Sequence, residues 1–430
     1  MNRTLYSITL YLAMPAILLR LLFRSLRAPA YRRRIAERFG YVSRSVVQAQ
    51  SNGRGTTSIW LHCVSVGETL AAAPLVKRLR TQWPDSRLIL TTMTPTGSER
   101  VIALFGTSVI HSYLPYDTPG AIKRFLRTLR PDLLIIMETE LWPNTIHYCR
   151  RKGVKIALAN GRLSPKSAAS YQRIARMTAD MLAKLDLVAV QAEADANRFI
   201  ALGAHPDKIR ITGSLKFDVS LDAPDERTID SFFAHIAASD RPVLVAASTR
   251  DGEEEKVLAA FMACLASVND LLLILVPRHP ERFDRIATLC RHKGLELARR
   301  SHGDDVAANT QVVLGDSMGE MLDYLQVADI AFVGGSLVST GCHNVLEPAA
   351  LGVPVLVGPS QFNFATICDQ LADAGALQTV ADERELAEVI LVLLHDRERA
   401  KAMGRAGRQL VERNRGSLDA LVTELVPLLD

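Results

Sequence analysis

Residue types suited to anion binding follow predicted strands in the second half of the sequence. Ser248 and Thr249 end one apolar run, and Arg278 with His279 ends another, between two prolines. Prolines keep the backbone extended, and an arginine at the end of a strand can bind a phosphate through two parallel hydrogen bonds. The pattern predicts a phosphate or carboxylate site, although His279 could also be a surface histidine in a turn.

A glycine-rich loop in the same half favours a nucleotide ligand. Gly334, Gly335 and Ser336 come directly after a strand-like run, and glycines there let a ligand approach the backbone closely. Asn344 and Glu347 then open a helix, where Glu347 could cap the helix, bind a ribose diol, or do both. Together with the upstream anion site, this loop predicts a donor site for a sugar nucleotide.

In the first half, polar and acidic side chains follow the predicted strands. Those selected as candidates for sugar binding are Ser65, Gly67, Glu68, Glu138, Glu140, Asn160 and Arg162. Two glutamates beside Trp142 form a flat acidic surface suited to sugar hydroxyls. Capping-box spacing, which offers a structural alternative for each glutamate, occurs at Ser65/Glu68, Thr96/Glu99, Ser317/Glu320 and Asn344/Glu347.

Glu37 is the only acid in an arginine-rich segment near the N-terminus. The arginines of this segment are Arg20, Arg24, Arg27, Arg32, Arg33, Arg34 and Arg38. Glu37 could pair with Arg33 or Arg34 within a helix, a contact worth a few tenths of a kcal/mol. It could instead act as a general base that removes a proton from a substrate hydroxyl.

These residues require a scaffold that brings strand ends together. Short runs rich in Val, Ile and Leu alternate with helical stretches, as expected for parallel strands buried on both faces. In the first half they are Ile59–Val66, Leu88–Thr94, Val109–Leu114, Leu133–Met137, Lys155–Ala159, Leu187–Gln191 and Ile209–Gly213. In the second half they are Val243–Ala247, Leu271–Val276, Leu295–Ala298, Val312–Leu314, Ile330–Val333, Val353–Val357 and Ala376–Thr379. Two doubly wound α/β domains with a cleft between them follow.

The predicted organisation has four parts. Residues 1–27 form a membrane-anchor helix, 28–220 an acceptor-binding Rossmann-like domain, 221–240 a linker, and 241–430 a Rossmann-like domain that binds the sugar nucleotide. The last helix of the chain can pack back on the first domain. The uncharged run Thr4–Leu19 is at the short end of a bilayer span, which takes about 20 residues. The arginines beyond it predict a cytoplasmic location for that side and attract anionic lipid, so a tilted span and a helix lying in the interface both fit.

Composition excludes several other classes of protein. Of 430 residues, 48% are apolar and 23% charged, which is ordinary for a globular protein and not for a disordered one. The net charge of +5 is concentrated at the N-terminus, so no nucleic-acid partner is expected. The six cysteines are scattered, which predicts reduced thiols and no zinc site. The chain has no D-x-D motif, and no metal or other cofactor is predicted.

Taken in order along the chain, these motifs resemble the 3-deoxy-D-manno-octulosonic acid (Kdo) transferases of lipopolysaccharide synthesis. The segments that carry the resemblance are Glu37–Gly40, His62–Glu68, Thr94–Gly97, Met137–Asn144, Asn160–Leu163, Gly213–Asp218, Pro277–Arg282 and His343–Pro348. The resemblance implies a GT-B fold and inverting, metal-free transfer of Kdo from CMP-Kdo. It implies that the acceptor is the lipid A precursor lipid IV-A, at the cytoplasmic face of the inner membrane.

The resemblance also implies roles for individual residues. Glu37 is expected to be the catalytic base. The CMP site is expected to comprise Arg278, Ser248, Thr249, Asn344 and Glu347, with Glu68, Glu138 and Glu140 on the acceptor or Kdo side. The reasoning from residue types adds His279, Gly334, Gly335 and Ser336 to the donor site and Arg38, Ser65, Gly67, Asn160 and Arg162 to the acceptor or Kdo side.

The sequence departs from the family at three positions. Arg250 stands where histidine is usual, Cys342 where glycine is usual, and Gly161 where alanine is common. Two alternatives to Kdo transfer remain open. One is a UDP-sugar transferase or a sugar-nucleotide epimerase on the same fold, and the other is an inactive carbohydrate-binding protein.

Overall fold

The computed structural model describes residues 2–43, 57–218, 233, 236 and 240–429. Most of the predicted linker 221–240 lies outside the described residues. Contacts divide the chain into two compact units, Met1–Asp218 with Arg415–Asp430 and Val219–Asn414. The last helix of the chain therefore belongs to the first unit, whereas the second predicted domain extends to residue 430.

The first unit contains a parallel sheet whose strands follow the order β3-β2-β1-β4-β5-β6-β7. Its strands are β1 Ser58–His62, β2 Arg87–Thr92, β3 Ile110–Tyr113, β4 Leu133–Met137, β5 Lys155–Gly161, β6 Leu187–Val190 and β7 Ile209–Ile211. Its helices are α1 Arg3–Arg27, α2 Val66–Gln82, α3 Pro95–Phe105, α4 Pro119–Leu129, α5 Pro143–Arg151, α6 Pro165–Gln172, α7 Ala175–Leu182 and α8 Glu193–Ala201. Short 3₁₀ segments lie at Pro29–Arg32, Ile35–Phe39, Gly106–Ser108, Pro206–Lys208 and Leu215–Phe217. The strand order reverses between β1 and β4, where open α/β sheets bind ligands.

The second unit contains a second parallel sheet, ordered β10-β11-β9-β8-β12-β13-β14. Its strands are β8 Val243–Thr249, β9 Leu272–Pro277, β10 Leu297–Arg299, β11 Val312–Leu314, β12 Ile330–Val333, β13 Val355–Val357 and β14 Leu377–Thr379. Its helices are α9 Glu254–Leu265, α10 Phe283–His292, α11 Met321–Gln326, α12 Leu346–Leu351, α13 Ala365–Asp373, α14 Glu383–His395 and α15 Arg397–Asn414. Short 3₁₀ segments lie at Pro280–Arg282 and Arg300–His302. Here the order reverses between β8 and β12.

The predicted fold class of two Rossmann-like units is confirmed, and each predicted strand is present. At the ends of β1 and β2, the cap of the following helix ends the strand earlier than predicted. The run from Ile59 was predicted to continue to Val66, but β1 ends at His62 because Ser65 caps α2 through the Glu68 N–H. The prediction of a capping box at Thr96/Glu99 is wrong. Thr94 is the cap of α3 and accepts from Gly97 N at 3.1 Å, since Pro95 suits the first helical position.

The last helix, α16 Ser417–Leu425, followed by the 3₁₀ segment Val426–Leu428, packs on the first unit. Leu421, Val422 and Leu425 are buried in the same cluster as residues of β1 and α2. Asp218 accepts hydrogen bonds from the N–H groups of Gly416 and Leu418. This carboxylate therefore fixes the start of α16 beside the end of the first unit's main segment.

The N-terminal helix α1 is docked on the first unit by polar contacts near its start. Arg3 Nη1 and Ser7 Oγ both donate to Asn144 Oδ1, at 3.0 and 3.1 Å. Further along the helix, Tyr11 Oη accepts from Gly120 N. Among the described residues, Arg3–Leu26 is the one helix long and apolar enough to cross a membrane, and little of it is buried.

In the second unit, a buried glutamate holds the glycine-rich loop after β12. The Glu253 carboxylate is 0% exposed and accepts from four backbone N–H groups, those of Arg250, Gly335, Ser336 and Leu337, at 2.6–3.1 Å. Gly334 must lack a side chain, because a Cβ there would lie 2.7 Å from Ser248 O. Glu253 thus joins the exit of β8 to the exit of β12.

Replacement of this carboxylate should destabilise the second unit. Glu253→Ala leaves four backbone N–H donors without an acceptor. Each unsatisfied donor costs about 1–3 kcal/mol of folding free energy where water cannot reach it. Because some of them will be rehydrated, we expect a total loss of roughly 3–5 kcal/mol. Hydrogen–deuterium exchange of peptides covering Gly334–Leu337, with far-UV circular dichroism of thermal unfolding, measures the effect.

Glu296→Ala is the matched control, because Glu296 is exposed in the same unit. Tryptophan fluorescence is unsuitable, since Trp60, Trp83 and Trp142 all belong to the first unit. Equal exchange in the two variants would contradict the role given to Glu253.

Candidate functional site

The predicted acceptor-side residues lie along one edge of the first sheet. Ser65 follows β1, Glu138 follows β4 and Asn160 is the last residue but one of β5, and these three strands are neighbours in register. The segment Ile35–Phe39 brings Glu37 and its neighbour to the same edge, beside the ends of β3 and β2. The structure therefore gathers these residues at the carboxyl ends of adjacent parallel strands.

Glu37 lies in a network of hydrogen bonds at the end of β3. Its Oε2 accepts from Tyr113 N at 2.8 Å and from Ser112 Oγ at 3.1 Å, while Oε1 accepts from Arg34 Nε at 2.6 Å. The ion pair between Glu37 and Arg34, which the sequence offered as the alternative to a catalytic role, is therefore present. An ionised carboxylate has about four acceptor positions, so Oε1 retains one, and the side chain is 18% exposed.

Arg38 is a cation largely shielded from solvent. The residue is 4% exposed, its Nη2 donates to Met93 O, and its guanidinium lies 4.3 Å from the centre of the Tyr113 ring. Its Nε has no hydrogen-bond partner, and the described part of the chain supplies no carboxylate in an ion pair with it. A buried charge without a counter-ion is costly, which makes this edge receptive to an anionic group.

The carboxylates of Glu68, Glu138 and Glu140 follow β1 and β4, the two strands between which the strand order of the first sheet reverses. Burial, with the charges of Glu138 and Glu140, raises the pKa of Glu68 to about 7, although a hydrogen bond from Val64 N opposes the shift. Burial and the charge of Glu138 also raise the pKa of Glu140. Glu68 accepts from Val64 N at 2.7 Å and from Ser65 Oγ, so it does act in capping α2.

The remaining predicted residues of this edge differ in their surroundings. Asn160, fully buried with a positive φ of 54°, accepts from Leu215 N, and its Nδ2 has no partner. Glu138 also has a positive φ, of 55°. The side chain of Arg162 is exposed, and a Cβ at Gly67 would meet almost nothing. The structure thus gives Gly67 no steric reason to be glycine.

In the second unit, the exits of β8 and β9 lie side by side. Ser248 has a positive φ of 58°, and Thr249 is buried with its hydroxyl donating to Glu254 Oε1. Arg278 N donates to Thr249 O, which places the arginine beside that turn. Thr249 is therefore engaged within the protein, whereas Ser248 is partly exposed.

Arg278 and Arg282 differ in how their charges are compensated. Arg282 forms ion pairs with Glu254 and Asp251. The guanidinium of Arg278 makes no hydrogen bond or ion pair within the described residues, and its charge acts on Glu347 and His343. Arg278 is thus available to an external anion.

The glycine-rich loop after β12 does not present free N–H groups. Those of Gly335 and Ser336 donate to Glu253, and Gly334 N donates to Ala247 O. Ser336 Oγ donates to Val333 O. Contact of these residues with the donor stays a prediction, but the structure engages their polar groups in holding the loop.

Asn344 and Glu347 form a polar pair at the start of α12. Asn344 Nδ2 donates to Glu347 Oε1 at 2.9 Å, and its Oδ1 accepts from Leu346 N. Burial raises the pKa of Glu347, while the bond from Asn344 and the charge of Arg278 oppose the rise. The carboxylate keeps Oε2 for a further donor such as a ribose hydroxyl.

Arg250, His343 and Glu253 lie at the same sheet edge and were not selected as site residues from the sequence. Arg250 Nε donates to His343 Nε2 at 3.1 Å, and Arg250 Nη1 contacts His279 Nε2. Glu253, described above, is the third. Only the chain positions of Arg250 and His343, within the motifs at the exits of β8 and β12, could have indicated them, since their meeting depends on strand order.

The two edges therefore suit different chemistry. The second gathers Arg250, Arg278 and two imidazoles, with the carboxylates of Glu347 and Glu281 nearby, an arrangement for an anionic ligand that also has hydroxyls. The first combines carboxylates with Arg38, which suits sugar hydroxyls and an anionic group. Among the described residues, no three His, Cys, Asp or Glu side chains converge in a way that could hold a metal ion.

Comparison of the chain with protein-family models finds two matches. The model described as 3-deoxy-D-manno-octulosonic-acid transferase (kdotransferase) covers residues 33–219, and that of glycosyl transferases group 1 covers 294–410.

Two solved structures are similar to this chain. UDP-GlcNAc 2-epimerase from Neisseria meningitidis, bound to UDP-GlcNAc, is 14% identical with a TM-score of 0.57 over 86% of this chain and 100% of that one. At this identity the likeness shows the GT-B fold alone. The C-terminal CMP-Kdo binding domain of WaaA from Acinetobacter baumannii is 37% identical with a TM-score of 0.41, over 43% of this chain and 99% of that one.

Full-length relatives are more similar in sequence. A 3-deoxy-D-manno-octulosonic acid transferase from Bordetella pertussis is 38% identical over 84% of this chain and 86% of that protein. One from Haemophilus influenzae is 41% identical over 100% of this chain and 99% of that protein. With this identity along the whole chain, and with carboxylates and cations at two Rossmann-type sheet edges, the protein belongs to the 3-deoxy-D-manno-octulosonic acid transferase family of glycosyltransferases.

Proposed function

We propose that this protein transfers Kdo from CMP-Kdo to lipid IV-A with inversion, without a metal, and with Glu37 as general base. The identity of the transferred sugar, Kdo, follows from membership of the Kdo transferase family. The observation that carries the choice of an anionic nucleotide donor is the group formed by Arg250, Arg278, His279 and His343, in which neither Arg250 nor Arg278 forms an ion pair with a carboxylate of the described residues.

The proposed reaction determines where charge develops. The bond between the anomeric carbon of Kdo and the CMP phosphate oxygen breaks, and its electron pair stays on the phosphate. A hydroxyl oxygen of the acceptor forms the new bond on the opposite face of the sugar and loses its proton. The phosphate thereby gains one negative charge, so the site must stabilise an anion at one end and accept a proton at the other.

At the donor end, Arg278 is the proposed principal phosphate ligand. Its guanidinium is not neutralised by a partner in the described chain, in contrast to Arg282. Glu347 is the proposed ligand of the ribose hydroxyls, supported by its free oxygen and by Asn344, which orients the other one. Cationic groups fixed before the reaction stabilise developing charge without having to reorganise.

At the acceptor end, Glu37 is the proposed base. Tyr113 N, Ser112 Oγ and Arg34 hold the carboxylate in one orientation, which leaves one acceptor position on Oε1 for a substrate hydroxyl. Arg38, a buried cation without an acid partner, is the proposed contact for a phosphate of lipid IV-A or the carboxylate of Kdo. Glu68, Glu138 and Glu140 are proposed to accept hydrogen bonds from sugar hydroxyls.

We further propose that α1 lies in the cytoplasmic lipid interface of the inner membrane and does not span it. The start of α1 is bonded to Asn144, while its end continues through Pro29–Arg32 to Glu37 at the same unit. A helix of 25 residues is about 37 Å long, so a spanning helix would carry its start to the far side of the bilayer. Leu12, Leu19 and Phe23, more than half exposed, are proposed to enter the lipid.

The donor assignment is tested by calorimetric titration with CMP and UDP and by mass spectrometry of the product formed from CMP-Kdo and lipid IV-A. We expect CMP to bind more tightly than UDP, and one or more Kdo residues to be added. Arg278→Gln should weaken CMP binding by roughly 10–100-fold, because a charge-assisted bidentate contact is lost. Arg291→Gln, at an exposed arginine of the same unit, should leave binding unchanged; tighter binding of UDP would contradict the assignment.

The role of Glu37 is tested by Glu37→Gln, which should lower the rate of Kdo transfer by about 10²–10⁴-fold, as loss of a general base does. CMP affinity and thermal stability should stay near the wild-type values. Glu99→Gln, at an exposed position of the same unit, is the matched control. Arg34→Gln separates the two readings of Glu37: if pairing with Arg34 is all that Glu37 does, both variants will lose activity to the same extent.

The interfacial orientation of α1 is tested by binding to vesicles of phosphatidylcholine with and without phosphatidylglycerol. Leu12→Glu should weaken binding roughly tenfold or more, since a buried leucine contributes about 1.5–3 kcal/mol. Ile211→Glu, at an exposed position on β7, is the control. A cysteine introduced by Thr4→Cys should react with a membrane-impermeant maleimide added on the protein's side of the vesicle, and protection of that thiol would show a spanning helix.

A further inference from the structure

The contacts of Arg250 determine the protonation state of two histidines. A guanidinium has only N–H donors and no acceptor. His343 Nε2, at 3.1 Å from Arg250 Nε, and His279 Nε2, in contact with Arg250 Nη1, must therefore both accept. Each imidazole is thus neutral and carries its proton on Nδ1.

The two histidines differ in their charged neighbours. His343 faces Arg250, Arg278 and His279, and no carboxylate acts on it within the described residues; burial first, and then these groups, lower its pKa to about 4. His279, 41% exposed in its side chain, faces Arg250, Arg278 and Arg282 but also Glu281, whose Oε1 lies 3.7 Å from Nδ1. Arg250 itself faces Arg278, Arg282 and Glu253. Protonation of His343 thus requires an anion from outside the described chain.

We propose that His343 takes up one proton when a phosphate monoester binds at Arg250, and that it then donates this proton in a hydrogen bond to the phosphate. The phosphate oxygens accept the N–H groups of Arg250, which leaves His343 Nε2 without a donor. Nε2 gains a proton from solvent and the imidazole becomes a cation beside the anion. This inference rests on the donor site proposed above.

The proton uptake matches the charge balance of the proposed transfer. In CMP-Kdo the phosphate is a diester with one negative charge, whereas CMP carries close to two at neutral pH. Bond cleavage therefore adds one charge at the phosphate, while the acceptor hydroxyl loses its proton separately. A histidine that becomes charged as the phosphate does would stabilise that product by a charge-assisted hydrogen bond.

Calorimetric titration with CMP, in two buffers of different ionisation enthalpy, measures the proton uptake. At about pH 7.5 the CMP phosphate is almost wholly a dianion and has little proton of its own to exchange. The pKa of His343 starts from about 4, and each opposite charge nearby raises the pKa of an imidazole by about 1–3 units, so the two charges of CMP bring it towards neutral pH. We therefore expect a measurable uptake of up to about one proton per CMP, and a CMP dissociation constant that increases as the pH rises.

His343→Gln is the decisive variant, because a glutamine oxygen can keep accepting from Arg250 but takes up no proton in this range. It should bind CMP with little or no uptake and with a weaker dependence on pH, at an unchanged melting temperature. His279→Asn should keep the uptake, as should His205→Asn at an exposed histidine of the first unit.

Each outcome bears on a different statement. Absence of uptake in the wild-type protein, or its persistence in His343→Gln, would overturn the inference while CMP binding upholds the donor site. Loss of uptake in His279→Asn alone would assign the proton to the other histidine and overturn the role of His343. Failure of the wild-type protein to bind CMP would instead contradict the proposed function.

Discussion

The arrangement of the second sheet edge depends on one buried carboxylate. Glu253 accepts from Arg250 N and from the N–H groups of the loop after β12, so two loops that are far apart in sequence share one anion. Because both oxygens of the Glu253 carboxylate accept from backbone N–H groups, Glu253 does not form an ion pair with the guanidinium of Arg250. That guanidinium is left to contact the two imidazoles, and the edge keeps its positive character.

The two units solve opposite electrostatic problems on similar scaffolds. The second leaves cations partly uncompensated, whereas the first gathers Glu68, Glu138 and Glu140, and burial together with the neighbouring carboxylates raises the pKa of Glu68 and of Glu140. Mutual repulsion of carboxylates is tolerated where hydrogen-bond donors of a ligand can relieve it. Arg38, apart from that group, is a strongly shielded cation at the same edge. A polyhydroxylated ligand that also carries an anionic group would satisfy both features.

Some of this could be predicted from the sequence because the signals are local. Parallel strands buried on both faces must be continuous runs of apolar residues, so the strands were found, with errors of a few residues where a cap such as Ser65 ends the strand early. The sequence also placed Arg278 at a strand end, whereas it did not indicate that Glu37 and Arg38 lie beside the ends of β3 and β2, which are far away in the chain. The Thr94 cap was missed because a nearby pair had the same spacing. The contacts of Glu253 with the loop after β12, and of Arg250 with His343, were missed because they join residues more than 80 positions apart, and no periodicity records such a pairing.

In the proposed interfacial orientation, α1 connects the membrane to the chemistry of the first unit. Arg3 and Ser7 bond to Asn144, whose N–H and side chain are in turn held by the buried Asp117. Asn144 belongs to the chain segment that leaves β4 through Glu138 and Glu140, and the opposite end of α1 leads to Glu37. Both ends of the helix are therefore tied to the edge of the sheet where sugar hydroxyls are proposed to bind. An acceptor whose acyl chains stay in the bilayer would then need to extend only its headgroup, which is a physical reason for an interfacial helix to be built into this unit.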